Sequence, residues 1–190
     1  RPRIDLQSMG EEPVRVILDS DFVPVDLRPA YESLVSQLLA RLRSAFDAAA
    51  DVPLIRLHGD CHPGNVLWDD DGPHFVDLDD SRMGPAVQDL WMLLSGDRET
   101  QALQARWVLD GYWEFNDFDP RALRLVEPLR TLRMIHYAGW LALRWDDPAF
   151  PAAFPWFNTQ RYWQDHILAL REQAAALDEA PLALSSQALY

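Results

Sequence analysis

The sequence predicts a mainly helical domain that carries one small β-hairpin. Three features lead there. Apolar residues recur at three- and four-residue steps over most of the chain. Two short apolar runs flank an Asp-Gly turn near residue 71. Eight Trp and 14 Pro among 190 residues suit aromatic packing between short, interrupted helices.

The elements follow in order. Residues 1–25 mix Pro, Gly and acidic residues around one apolar run, Val14 to Leu18, and read as a connector; residues 26–190 read as the folded body. Asp26 stands before a helix signal with Pro29 in its first turn. Tyr31, Leu34, Val35, Leu38, Leu39, Leu42 and Phe46 then form one apolar helix face, ending near Asp51-Val52-Pro53. Leu54 to Leu57 reads as a short strand, and His58 to Asn65 as a loop dense in polar groups. Val66 to Trp68 and His74 to Val76 are the hairpin strands around the turn at Asp69 to Pro73. The returning strand runs into Asp77-Leu78-Asp79-Asp80, so the hairpin brings two polar clusters close together, within 54–80. The helical body spans 86–177. Val87, Leu90, Trp91 and Leu94 mark one helix and Leu103 to Tyr112 a second. Leu123 to Trp145 is a third, bent or broken at Pro128, and Tyr162 to Leu177 a last one after a Pro-aromatic loop at Phe150 to Trp156. A weakly patterned tail follows.

Composition narrows the function classes. With 17 basic against 30 acidic residues the net charge is −13, which disfavours a nucleic-acid partner because phosphate binding needs a basic face. No apolar run approaches the roughly 18–20 residues of a membrane span. The single cysteine, Cys61, excludes an internal disulfide and a multi-cysteine zinc site.

The chemistry concentrates at the hairpin. Asp60, at the start of a tight loop, can orient or deprotonate a hydroxyl. Asn65 and Asp77 supply hard oxygen ligands of the kind Mg²⁺ takes when phosphates complete its octahedron. Phosphoryl transfer asks for little more from this side of a site than a positioned nucleophile and metal ions that neutralise developing charge.

His58-Gly59-Asp60-x-x-x-x-Asn65, followed by an apolar strand ending in Asp77, resembles the signature of the aminoglycoside-phosphotransferase/choline-kinase-like group, which shares its fold plan with protein kinases. LHGDCHPGNVLW, FVDLDDSRMGPAVQDLWMLLSGD and DSDFVPVDLRPAYESL are most similar to a bacterial Ser/Thr protein kinase branch of that group. The resemblance implies the C-terminal lobe of a protein-kinase-like fold, with residues 1–25 the inter-lobe connector. It makes Asp60 the catalytic residue, Asn65 and Asp77 ligands of Mg²⁺, His58 a buttress of the loop, and Asp89 its anchor through the backbone. It further implies a cytoplasmic enzyme that uses ATP and a protein Ser or Thr hydroxyl. Kinases of this shape place a Gly-rich loop and an ATP-pairing Lys in an N-terminal lobe. Nothing before Arg56 fills those roles, so the N-terminal lobe is expected to be absent and the chain alone to be inactive.

Other readings stand beside this one. The motif does not separate a protein hydroxyl from that of a sugar, choline or aminoglycoside, and a non-catalytic pseudokinase or binding fragment is a further alternative. Asp and Asn favour turns for local reasons. His58, Asp60 and His62 also spell a metallohydrolase-like pattern, with only His74, His136 and His166 left to complete it. His62 reads as a loop residue facing substrate, and Cys61 as a small packed hydrophobe. Asp79 and Asp80 read as support for the metal or a cap for the next helix. His136, Tyr137, Trp140, Arg144 and Trp145 share a helix face that reads mostly as core, and the resemblance makes the late helices an acceptor wall as well.

Overall fold

The computed structural model describes residues 2–184; the end of the weakly patterned tail, residues 185–190, lies outside the described residues. In chain order the elements are α1 (Glu12–Leu18), α2 (Arg28–Ala48), β1 (Leu54–Leu57), β2 (Val66–Asp69), β3 (Gly72–Phe75), β4 (Arg82–Pro85), α3 (Val87–Trp91), α4 (Arg98–Tyr112), α5 (Val126–Leu143), α6 (Ala149–Ala153) and α7 (Gln160–Ala176). They form two compact units: a helical one, Asp5–Ala48 with Glu127–Glu179, and one built on Ala49–Val126 that takes in the residues around Ile4 and Leu182. No helix among the described residues is long and apolar enough to cross a membrane.

In the helical unit, α2 buries Tyr31, Val35, Leu38 and Leu42, the three- and four-residue stripe that the sequence announces. Burial of Val35, Leu38 and Leu42 stabilises the unit by about 1.5–3 kcal/mol each. The stripe packs on α7, where Trp163, Ile167 and Leu170 are buried and the Tyr31 and Trp163 rings meet edge-on at 5.6 Å. Arg41 donates to the Ala174 carbonyl at 2.7 Å, and Gln173 donates to the Glu127 carboxylate at 2.6 Å, tying α7 to α2 and α5. The stretch read as a connector is helical over most of its length, with a π-helical turn at Gln7–Glu11 running into α1. Pro128 neither bends nor breaks a helix. As the third residue of α5 it stands where the backbone N–H has no helical partner to lose, and the discontinuity lies earlier, where a 3₁₀ segment, Pro120–Leu125, meets α5. Part of the Pro-aromatic loop also winds into a short helix, α6.

The second unit carries two small antiparallel sheets where the sequence announces one hairpin. β2 and β3 pair from Val66↔Phe75 to Asp69↔Gly72, which leaves Asp70 and Asp71 as the turn. β1 pairs with β4 from Leu54↔Pro85 to Leu57↔Arg82. Met83 of β4 also exchanges backbone hydrogen bonds with the chain start, accepting from Ile4 and donating to Pro2, each at 2.8 Å. α4 starts where the Asp97 carboxylate accepts from the Thr100 amide at 2.8 Å. Val87, Trp91, Ala105, Leu109 and Leu123 are among the buried apolar residues of this unit. The end of β1, the mouth of the β2–β3 hairpin and the start of α3 meet at one place, the loop from His58 to Asn65.

Candidate active site

The loop is held first by its backbone. The His58 and Gly59 amides donate to the two oxygens of the Asp89 carboxylate, at 2.7 and 2.9 Å. Gln88, next to Asp89 at the start of α3, donates to the Gly59 carbonyl at 3.0 Å and accepts from the Trp91 indole at 3.2 Å. Burial pushes the Asp89 carboxyl above its ordinary range, and the two backbone donors offset only part of that rise. Gly59 has φ +93°, and a Cβ there would lie 2.2 Å from the Asp80 carbonyl oxygen. Only glycine allows both that conformation and that approach.

A second tie runs across the hairpin. The His58 ring accepts from the Asp60 amide through Nδ1 at 3.4 Å and donates through Nε2 to the Val76 carbonyl at 2.8 Å, a pairing that assigns the neutral Nε2–H tautomer. His58 is thus a strut between the loop and the residue before Asp77.

Asp60 is partly exposed, and its carbonyl accepts from the His62 amide and from Asn65 Nδ2, both at 2.9 Å. Asn65 is buried, and with Nδ2 engaged its amide oxygen is left without a partner among the described residues. The Asn65 carbonyl accepts from the Val76 amide at 3.1 Å, which brings Asp77 beside it. Asp77 is the one non-glycine residue at positive φ among the described residues (φ 62°, ψ 63°), a left-handed conformation that costs about 1–3 kcal/mol and marks a place where position outweighs local stability. Its exposed carboxylate has no hydrogen-bond or ion-pair partner among the described residues.

The donor set fits Mg²⁺. Asn65 and Asp77 offer one hard, unengaged oxygen group each, and no three His, Cys, Asp or Glu side chains among the described residues are placed to hold an ion by themselves. Two protein ligands with phosphate and water oxygens for the rest is the usual Mg²⁺ arrangement.

The remaining predicted residues fall around this core. His62 accepts from the Gly64 amide at 3.0 Å and places Nε2 3.5 Å from the Asp60 carboxylate. His58 and His62 therefore both have work within the loop. Asp79 is exposed in the 3₁₀ turn Leu78–Asp80, while Asp80 pairs with Arg82 at 2.6 Å. Cys61 is buried, and burial followed by the charges of Asp89 and Asp60 pushes its thiol up to about 11, away from nucleophilic use. Gln88 is the residue that sequence reasoning missed; a Gln between an apolar residue and an Asp at a helix start carries no signal by itself.

The comparisons with known proteins agree on one family. The model of the phosphotransferase enzyme family matches residues 18–126, which include every residue of the site from His58 to Asp89. The chain is 45% identical over 185 residues to stress response kinase A of Escherichia coli (strain K12) and 44% identical to the serine/threonine protein kinase RdoA of Salmonella typhimurium. Each alignment covers 97% of this chain and 56% of the relative, so the chain spans about half the length of the curated relatives it matches. Among solved structures, a choline/ethanolamine kinase family protein from Mesorhizobium loti superposes with a TM-score of 0.57 at 21% identity, over 90% of this chain and 60% of that one. Spectinomycin phosphotransferase APH(9)-Ia, solved with ADP and spectinomycin, superposes with a TM-score of 0.54 at 14% identity, over 92% of this chain and 57% of that one. These likenesses show a shared fold, and with more than half its residues matched by the family model the chain belongs to the phosphotransferase enzyme family.

Proposed function

We propose that the protein to which this chain belongs transfers the γ-phosphoryl group of ATP to a protein Ser or Thr hydroxyl, with Asp60, Asn65 and Asp77 as its working residues. The observation that carries this reading is the pair of unengaged oxygen groups on Asn65 and Asp77, fixed by backbone bonds beside the Asp60 loop. Asp60 accepts the hydrogen bond of the acceptor hydroxyl and takes its proton as that oxygen bonds to phosphorus and the bond to ADP breaks. Asn65 and Asp77 hold Mg²⁺, which when bound supplies charge neutralisation to the phosphates. Asp89, Gln88 and His58 hold the loop in place, so little reorganisation is needed as charge develops.

The nucleotide is gripped in large part by a lobe outside these 190 residues. The sequence contains no lysine, so the phosphate-pairing Lys of kinases has no counterpart in it. Leu67, Trp68, Phe75 and Leu78 around the hairpin are each more than half exposed, apolar surface of the kind that a nucleotide base or a second lobe covers. The chain alone accordingly binds ATP weakly and turns over little. The Ser/Thr acceptor rests on the names of the relatives, stress response kinase A and serine/threonine protein kinase RdoA.

The test uses the full-length protein with labelled ATP and Mg²⁺, wild type beside Asp60→Ala, against itself, a generic protein substrate, and a panel of choline and aminoglycosides. Label on Ser or Thr that disappears in Asp60→Ala is the expected result. Label confined to a small molecule keeps the mechanism and overturns the acceptor. The absence of any Asp60-dependent transfer overturns the reading in favour of a binding role.

A further inference from the structure

The helical unit holds a cavity of about 350 Å³ that none of the catalytic residues lines. It lies where the loop after α1 meets the end of α5 and the turn before α7, and Ser20, Asp21, Phe22, Trp145, Asp146 and Asn158 line it. A volume of this order accommodates a small ligand.

Its walls have one electrostatic character. The Phe22 and Trp145 rings meet edge to face, at 83° with centroids 5.7 Å apart, and both line the cavity as an aromatic corner. Phe157, fully buried, stands behind the pair at 5.2 Å from Phe22 and 5.1 Å from Trp145 and fixes the corner in place. Aromatic faces carry negative potential. Beside each ring in the sequence is a carboxylate, Asp21 next to Phe22 and Asp146 next to Trp145, and neither has a hydrogen-bond or ion-pair partner among the described residues. No arginine lines the cavity, and two that flank its segments are engaged elsewhere: Arg28 pairs with Glu32 at 2.9 Å, and Arg144 lies 4.8 Å over the Trp140 ring. The cavity therefore combines two unneutralised negative charges with an apolar π corner. A hydrated metal ion would use the carboxylates and waste the rings, whereas a cation with hydrocarbon around its charge uses both.

We propose that this cavity binds an alkylammonium group, its methylenes against the Phe22–Trp145 corner and its charge shared by Asp21 and Asp146. The side chain of Asn158, at the mouth and without a partner among the described residues, meets the polar remainder of the ligand. The same chemistry is offered by a free amine and by a lysine side chain of a polypeptide. The inference does not depend on phosphoryl transfer, since its readout is binding.

The experiment is a titration of the ¹⁵N-labelled full-length protein, followed by tryptophan indole NMR, with the Trp145 resonance assigned by Trp145→Phe. The probes are n-butylammonium, N-acetyl-lysine amide and n-pentanol, the last a neutral match to the first. A saturable shift of the Trp145 signal with a cationic probe and none with pentanol is expected. Asp21→Asn/Asp146→Asn should weaken that binding by about tenfold or more. Both residues are exposed, so unchanged signals from the other indoles check that the fold is kept. Phe22→Leu, which removes a ring but keeps apolar volume, should weaken it several-fold independently. Tighter binding of butylammonium assigns the site to free amines, and tighter binding of the blocked lysine to a polypeptide. The proposal is overturned by no saturable shift with either cation up to ~50 mM, by equal binding of pentanol, or by a double variant and Phe22→Leu that both bind as wild type.

Discussion

Asp89→Ala removes both acceptors that hold the start of the loop from His58 to Asn65. The carboxylate takes the His58 and Gly59 amides at 2.7 and 2.9 Å, and a hydrogen bond to a charged acceptor contributes about 1.5–3 kcal/mol. Two such bonds amount to about 3–6 kcal/mol. The site is only partly buried, so water entering after truncation replaces some of each bond, and the net local cost is about 2–4 kcal/mol. At about 1.4 kcal/mol per tenfold, hydrogen exchange at the His58 and Gly59 amides should accelerate roughly 30- to 700-fold. Amides in the middle of α2 should be unaffected. Asp89→Asn keeps one acceptor oxygen and should lie between wild type and Asp89→Ala. Burial holds the folded Asp89 carboxyl above its ordinary 3.8, so the native state binds this proton more tightly than the unfolded chain. Its stabilising contribution is full below pH 3.8 and is lost as pH rises through the elevated native value, and Asp89→Asn should remove that slope. Unchanged exchange at His58 and Gly59 in Asp89→Ala would refute the anchoring role.

Three further outcomes follow from named contacts. Gly59→Ala combines a strained φ with overlap on the Asp80 carbonyl, so it should destabilise by about 2–6 kcal/mol; an unchanged denaturant midpoint would contradict this. His166 is buried with Nε2 unpartnered and is pushed down to about 4 from 6.5, so its contribution is full above pH 6.5 and is lost as pH falls through about 4. The loss should reach about 3 kcal/mol relative to His166→Phe in urea titrations at pH 7 and pH 4, and an identical pH slope in the two proteins would count against it. Cys61, with its thiol up at about 11, should alkylate about 100-fold more slowly in the native than in the unfolded chain, and equal rates would show that it is reactive.

How much of this was legible in the sequence depended on how local the determinant was. The β2–β3 hairpin announced itself because the turn residues and the flanking apolar pairs are adjacent in the chain. The four buried residues of α2 and the apolar residues of α7 were readable from periodicity for the same reason. β4 was not, because Arg82-Met83-Gly84-Pro85 has no strand preference and becomes one only through β1 on one side and Arg3 on the other. Helix over Gln7–Leu18 was hidden by Gly10 and Pro13, the latter harmless because it stands at the second position of α1. At the site, the spacing of Asp60, Asn65 and Asp77 was visible, and so was the matching position of Asp89. The strut made by His58 to Val76, the Gln88 bond to Gly59 and the approach of Gly59 to Asp80 join residues 18 to 29 positions apart, and no local pattern encodes them.

The measurement that bears most directly on the account is the rate of phosphoryl transfer from ATP by the full-length protein as a function of Mg²⁺, for wild type, Asp60→Asn and Asp77→Asn. Asp60→Asn should lower kcat by about 10²- to 10⁴-fold at an unchanged half-saturating Mg²⁺ concentration. Asp77→Asn should raise the Mg²⁺ requirement as well as slow the reaction. An Asp60→Asn protein that retains the wild-type rate at every Mg²⁺ concentration would contradict the assignment of this loop as the phosphoryl-transfer site.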